Sequence, residues 1–91
     1  MKKIENKARR RVTFSFSSPG AKEVYVAGTF NGWDPRKDPF KRHSTDWKAV
    51  KYLAPGVYEY RFVVDGIWVD DPSCKNHRPN QYGSENCVLD L

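Results

Sequence analysis

Several groupings of side chains in this 91-residue chain have types and spacings that could do chemistry. Cys74-Lys75-Asn76-His77 has the C-x-x-H spacing of half a metal site. With only Cys87 as a further thiol, it falls short of the four ligands of a closed zinc site. Asp65, Asp70 and Asp71 crowd one stretch but lack the ligand spacing of a calcium loop. Asp70 and Asp71 are adjacent, so on an extended chain they point to opposite faces and cannot form the facing carboxylate pair of glycoside hydrolysis. The chain is also too short for a hydrolase barrel, and it contains no nucleophile elbow and no Gly-rich phosphate loop. His43 and His77 stand in charged segments, where a solvated role is expected. No catalysis, cofactor or metal is therefore expected. What remains is Trp68 with Arg61, a broad ring and a planar guanidinium on either side of the Asp65-Gly66 turn.

The elements that must position this pair read as strands. Val12, Phe14 and Phe16 alternate with polar residues over 12–17, the pattern of a half-buried strand. Residues 23–28 (EVYVAG) and 57–64 (VYEYRFVV) are β-branched and aromatic. Residues 46–53 (DWKAVKYL) form a strand of uneven parity, which suggests a bulge. Ser17–Gly20, Asn31-Gly32, Pro55-Gly56 and Asp65-Gly66 are turn signals, and TFNGWDP at 29–35 is a loop. A short edge strand near Phe40 is possible on pattern, 70–84 reads as a long polar loop, and 86–91 closes the chain as a strand. No helical period of useful length occurs. About seven short strands separated by turns predict an all-β fold, an antiparallel β-sandwich of immunoglobulin-like (early-set) type. The Cys–Trp–Cys order of antibody domains is missing, since Trp47 precedes both cysteines. Trp47 and Tyr60 are expected in the core.

Hairpin parity then sets the direction of Trp68. Tyr58, Tyr60, Phe62 and Val64 share one strand face, and Glu59, Arg61 and Val63 share the other. The first set is apolar and belongs to the core. A two-residue Asp-Gly turn of type I′ puts Val64 opposite Ile67, Val63 opposite Trp68 and Phe62 opposite Val69. Directly opposed residues lie on one side of a sheet. Ile67 and Val69 are thus expected inside and Trp68 outside, beside Val63 and diagonal to Arg61. There the ring either covers a small outer cluster under the 70–84 loop or is displayed to a ligand. A ring beside a guanidinium suits a flat ligand with polar rims, such as a sugar or a nucleobase.

Charge narrows the classes. Residues 1–11 (MKKIENKARRR) set six basic residues against Glu5 and carry the whole net charge of +5, so residues 12–91 balance to zero. We read 1–11 as a basic leader and 12–91 as one domain. The leader is a solvated tail, or a charged dock for an acidic partner or nucleic acid. It has no apolar stretch of a signal peptide, and no apolar run long enough to span a membrane occurs anywhere. Free reduced thiols and a cytoplasmic setting follow as expectations.

Three stretches, VYVAGTFNGWD at 24–34, GVYEYRFVVDGIWVDDP at 56–72 and YGSENCVLDL at 82–91, resemble in order and spacing the family 48 carbohydrate-binding modules. These are the glycogen-binding sandwiches of the AMP-activated kinase β subunit and of branching and debranching enzymes. The resemblance covers roughly 12–91. It implies non-catalytic binding of α-1,4-glucan, glycogen or starch-like maltooligosaccharides. It also implies the carbohydrate-binding residues: Trp33 after the FN turn, Trp68 after the DG turn, Arg61 in the strand before it, and Tyr82, Ser84 and Asn86 in the last loop and strand. Kinase-type modules carry Lys where Arg61 stands and an aliphatic residue where Tyr82 stands. Arg keeps the charge and adds a planar fork. Parity and resemblance agree on Arg61 and Trp68; the other positions rest on resemblance alone.

The partners implied are an α-glucan and a glycan-metabolising enzyme or kinase, with no membrane. The rival readings are a protein-interaction scaffold that has lost sugar binding and a single-stranded nucleic-acid binder, the latter opposed by the neutral domain. A shallow site of this kind has an affinity of roughly −4 to −8 kcal/mol.

Overall fold

The computed structural model describes residues 8–91, so the first seven residues of the basic leader lie outside the described residues. The expected alternation builds two antiparallel sheets. One contains β1 (Arg10–Ser17), β5 (Asp46–Leu53) and β4 (Lys41–His43), in the order β1-β5-β4. The other contains β3 (Asp38–Pro39), β2 (Val24–Gly28), β6 (Val57–Val64), β9 (Glu85–Asp90) and β8 (His77–Pro79), in the order β3-β2-β6-β9-β8, with β7 (Ile67–Val69) also on β6. β1 starts at Arg10, so its first two residues come from the stretch read as leader.

The inward faces meet in one core. Val12, Phe14, Trp47, Ala49 and Leu53 come from the first sheet, and Val24, Val26, Tyr60, Phe62 and Cys87 from the second. Phe62 is fully buried and takes Phe40 edge-on with ring centroids 5.1 Å apart, while Phe14 meets Tyr60 at 4.9 Å. Edge-on packing sets a positive ring rim against a negative face and adds to the area buried. Trp47 lies in the core as expected, its indole N–H donating to the Ser18 carbonyl at 3.0 Å.

The antiparallel sandwich is the one the sequence predicts, with nine strands rather than about seven among the described residues. β4 and β8 carry exposed polar residues with no alternation to betray them. β8 lies within the segment read as a polar loop. The uneven parity of β5 is not a bulge, because the β1–β5 register is continuous from Arg10↔Leu53 to Ser17↔Asp46. Lys51 takes an inward position there, paired to Asp38 at 3.1 Å and lying 5.4 Å from the Phe30 ring centroid.

The β6–β7 register is the one the Asp-Gly turn dictates: Val64↔Ile67, Val63↔Trp68 and Phe62↔Val69. Asp65 and Gly66 have φ of 49° and 83°, the left-handed pair of a type I′ turn. Val69 packs on the core, but Ile67 does not. It is 66% exposed, a correction to the expected burial. Parity gives its side of the sheet, yet at the hairpin tip no facing strand among the described residues covers it.

The expectation of free thiols is also corrected, because Cys74 and Cys87 form a disulfide. The pairing of β8 with β9 sets His77 opposite Cys87 and folds the preceding loop back. The Cys74 and Cys87 Cα atoms come within 5.9 Å, inside bonding reach. The bond takes Cys74 from the C-x-x-H spacing and Cys87 as its further thiol.

Candidate functional site

The outward face of the larger sheet holds the site. Glu59, Arg61 and Val63 of β6 alternate outward, Trp68 stands opposite Val63, and Arg78 of β8 stands opposite Asn86 of β9. The 80–84 loop rises beside them. All six sequence-expected residues, Trp33, Arg61, Trp68, Tyr82, Ser84 and Asn86, line one open groove.

Trp33 is delivered by a tightly built turn. A short 3₁₀ segment, Thr29–Asn31, follows Gly28. The Asn31 side chain accepts the Gly28 N–H at 3.0 Å and donates to the Val26 carbonyl at 3.0 Å and to Asp38 at 2.6 Å. Gly28 itself admits no side chain, since a Cβ there would lie 2.5 Å from the Glu59 carbonyl oxygen. Beyond Gly32, Trp33 has φ of 61°, and its N–H donates to the Gly28 carbonyl at 2.9 Å. A bulky residue in the left-handed region costs about 1–3 kcal/mol, and such strain gathers at functional positions. The result is a ring held toward the groove. The Trp33 and Trp68 ring centroids lie 6.5 Å apart with 41° between their planes.

Arg61 forms the polar wall. Its side chain is 16% exposed, and Nη2 pairs with Asp70 at 2.9 Å. Nη1 donates to Ser84 Oγ at 3.3 Å, and Nε is buried with no hydrogen-bond partner among the described residues. Asp70 and Asp71 do point opposite ways, as their adjacency requires. Asp71 is buried, accepting from the Tyr60 hydroxyl and from the Ser73 N–H and hydroxyl. Burial first, and then the Asp71 hydrogen bond, push the Tyr60 phenol well above its ordinary range. Tyr60 is thus a neutral core donor.

Tyr82 is 82% exposed and stands at the rim, its hydroxyl accepting from Gln81 at 2.8 Å. The sequence reading missed Glu59, Arg78 and Asn80, which also line the groove. Glu59 shares the parity of Arg61 and could have been found. Arg78 and Asn80 lie in the stretch read as loop. Glu59 and Asp70 both reach this face, but an arginine engages each: Arg78 with Glu59 at 2.7 Å and Arg61 with Asp70. His77 is exposed, 3.8 Å from Glu85, and His43 is exposed on β4. Among the described residues no group of His, Cys, Asp and Glu could hold a metal ion. No helix there is long and apolar enough to cross a membrane.

An open groove with tilted aromatic rings above and amide, hydroxyl and guanidinium groups alongside, borne on a β-sandwich, is the build of a carbohydrate-binding module. The family model for the glycogen recognition site of AMP-activated protein kinase matches residues 10–91, and the chain belongs to that family. It is similar to the 5'-AMP-activated protein kinase subunit beta-1 of Sus scrofa, 41% identical over 84 residues, covering 92% of this chain and 66% of that one. It is 41% identical over 84 residues to the beta-1 subunit of Rattus norvegicus, covering 92% of this chain and 30% of that protein. Over 56 residues it is 45% identical to the beta-2 subunit of Mus musculus, covering 62% of this chain and 20% of that protein. The chain thus spans a fifth to a third of the length of the two rodent relatives. The family is a recognition module and not a catalytic one.

Proposed function

We propose that residues 12–91 bind α-1,4-glucan chains, of glycogen or starch-like maltooligosaccharides, through the groove and without chemical change. The observation that carries this reading is the Trp33–Trp68 pair, tilted by 41° at 6.5 Å. An α-1,4-glucan curves, so successive sugar faces turn through an angle that two inclined rings follow and a flat platform does not. Each indole takes the C–H face of a glucose ring, as aromatic platforms take flat ligands. Arg61, Ser84 and Asn86 meet the hydroxyls, and Tyr82 wraps the rim. The polar wall is held before any ligand arrives, which lowers the ordering cost of binding.

The partner is a glucan and, through a longer assembly, a glycan-metabolising enzyme or kinase. The cytoplasm is proposed as its setting on the ground of family alone, since the Cys74–Cys87 bond withdraws the support of reduced thiols. Retention on amylose resin at low and high salt tests the reading. Retention at both, lost in a folded Trp33→Ala/Trp68→Ala double variant, is expected. Retention that vanishes at high salt contradicts it, because an uncharged ligand releases no counterions.

A further inference from the structure

Asn86 lies in the middle of a directional chain of hydrogen bonds. The Asn80 amide N–H donates to Asn86 Oδ1 at 2.9 Å, and Asn86 Nδ2 donates to Glu59 Oε1 at 3.1 Å. The second Glu59 oxygen accepts from Arg78 Nη1 at 2.7 Å. Asn80 is fixed from its other side as well, its Oδ1 accepting the N–H groups of Tyr82 at 2.9 Å and Ser84 at 3.2 Å. Its order is therefore set: backbone donors hold the oxygen inward, and the NH₂ faces Asn86. A carboxylate only accepts, so Glu59 demands the NH₂ of Asn86 on its side. Both neighbours impose the same orientation on an amide that is buried and cannot turn into solvent.

We infer that Glu59 and Asn80 are positioning residues that fix the donor–acceptor order of Asn86 and so set which glucose hydroxyls the groove accepts. This rests on the glucan reading. With the order fixed, one N–H of Asn86 and one lone pair of its oxygen remain for ligand, in a defined left–right sequence. A sugar hydroxyl must then donate on the Asn80 side and accept on the Glu59 side. Turning the amide would present the same groups in reverse, with no change in shape. Arg78 supports the order by pairing with the second oxygen of Glu59.

The test is a double-mutant cycle on the whole 91-residue chain, read by calorimetric affinity for maltoheptaose and by thermal midpoint. Asn80→Asp keeps the acceptor for the Tyr82 and Ser84 N–H groups but sets a second acceptor against Asn86 Oδ1. Affinity should fall about tenfold and the midpoint should drop, as when a buried polar group loses its partner. Glu59→Gln still offers an oxygen to Asn86 Nδ2, and affinity should fall less than about threefold. In the double variant the chain can run backwards, with Gln donating and Asp accepting around a turned Asn86. The midpoint should return while the affinity stays about tenfold down, since non-additivity separates packing from recognition. Recovery of affinity together with the midpoint overturns the inference, as does a midpoint that does not recover. Wild-type affinity in Asn80→Asp overturns it too. A wild-type chain that binds no maltoheptaose removes the glucan reading itself, and this inference with it.

Discussion

The Trp33 and Trp68 rings meet at 6.5 Å and 41° although they arrive by unrelated routes. Trp68 is pushed outward by the parity of a two-residue hairpin. Trp33 is delivered by a left-handed residue after a 3₁₀ turn that Asn31 ties to Val26 and Asp38. Two independently braced pieces of backbone thus bring the rings together.

Trp68→Ala should weaken maltoheptaose binding by about 1–3 kcal/mol, in line with other stacked rings. Trp68 is 40% exposed, so its loss should leave the thermal midpoint near that of the wild type. Calorimetry beside a melting curve checks both, and unchanged affinity in a folded variant would remove Trp68 from the site.

Gly28 is the glycine at which an added methyl meets the closest neighbours, and Gly28→Ala should be strongly destabilising. Its Cβ would meet the Glu59 carbonyl oxygen at 2.5 Å, a Phe30 ring carbon at 2.8 Å and Tyr60 Cβ at 2.9 Å. Overpacking against backbone typically costs about 1–3 kcal/mol, and here it also prises β2 from β6 beneath Glu59. A denaturant midpoint lowered together with maltoheptaose affinity is expected.

Reduction of the Cys74–Cys87 bond should loosen the loop that leads to β8. The bond closes a loop of sequence separation 13. Loops of about that length lose roughly 3 kcal/mol of stability with their cross-link. Urea unfolding with and without a thiol reductant measures it, and coincident curves would show that the bond contributes nothing.

Asp65 ties the hairpin tip to the strand entry. Its Oδ1 accepts the N–H groups of Lys22 and Glu23, both at 2.9 Å, and these hold its carboxyl below the ordinary range, Glu23 first. A folded-state value below the unfolded one stabilises above the unfolded value and loses that contribution as pH falls. The stability gap between wild type and Asp65→Asn should therefore be present at neutral pH and close below about pH 4. A gap that widens on acidification would contradict it.

The parts of the molecule legible in the sequence were those where one face is buried and the period is strict. β1, β6 and the β6–β7 register follow from alternation and from the needs of an Asp-Gly turn. Lys51 misled because an inward lysine breaks alternation while its ammonium is satisfied by Asp38 and the Phe30 ring. β4 and β8 were hidden because short, exposed strands bury nothing that must alternate. With β8 unseen, the contact of Cys74 with Cys87 and the places of Arg78 and Asn80 were hidden as well. Ile67 shows the limit of parity, which gives a side of the sheet but not whether anything covers it. Arg61 and Trp68 could be placed by geometry, whereas Trp33, Tyr82, Ser84 and Asn86 rested on resemblance because loops carry no period.

The most direct measurement is a tryptophan-fluorescence titration with maltoheptaose beside cellohexaose, at low and high salt. Two of the three tryptophans, Trp33 and Trp68, line the groove, and Trp47 is buried behind it, so a ligand there must change the emission. A saturable change with maltoheptaose alone, indifferent to salt, is the result predicted. Equal responses to the curved and the straight glucan, or none to either in a folded chain that also gives no calorimetric heat, would contradict it.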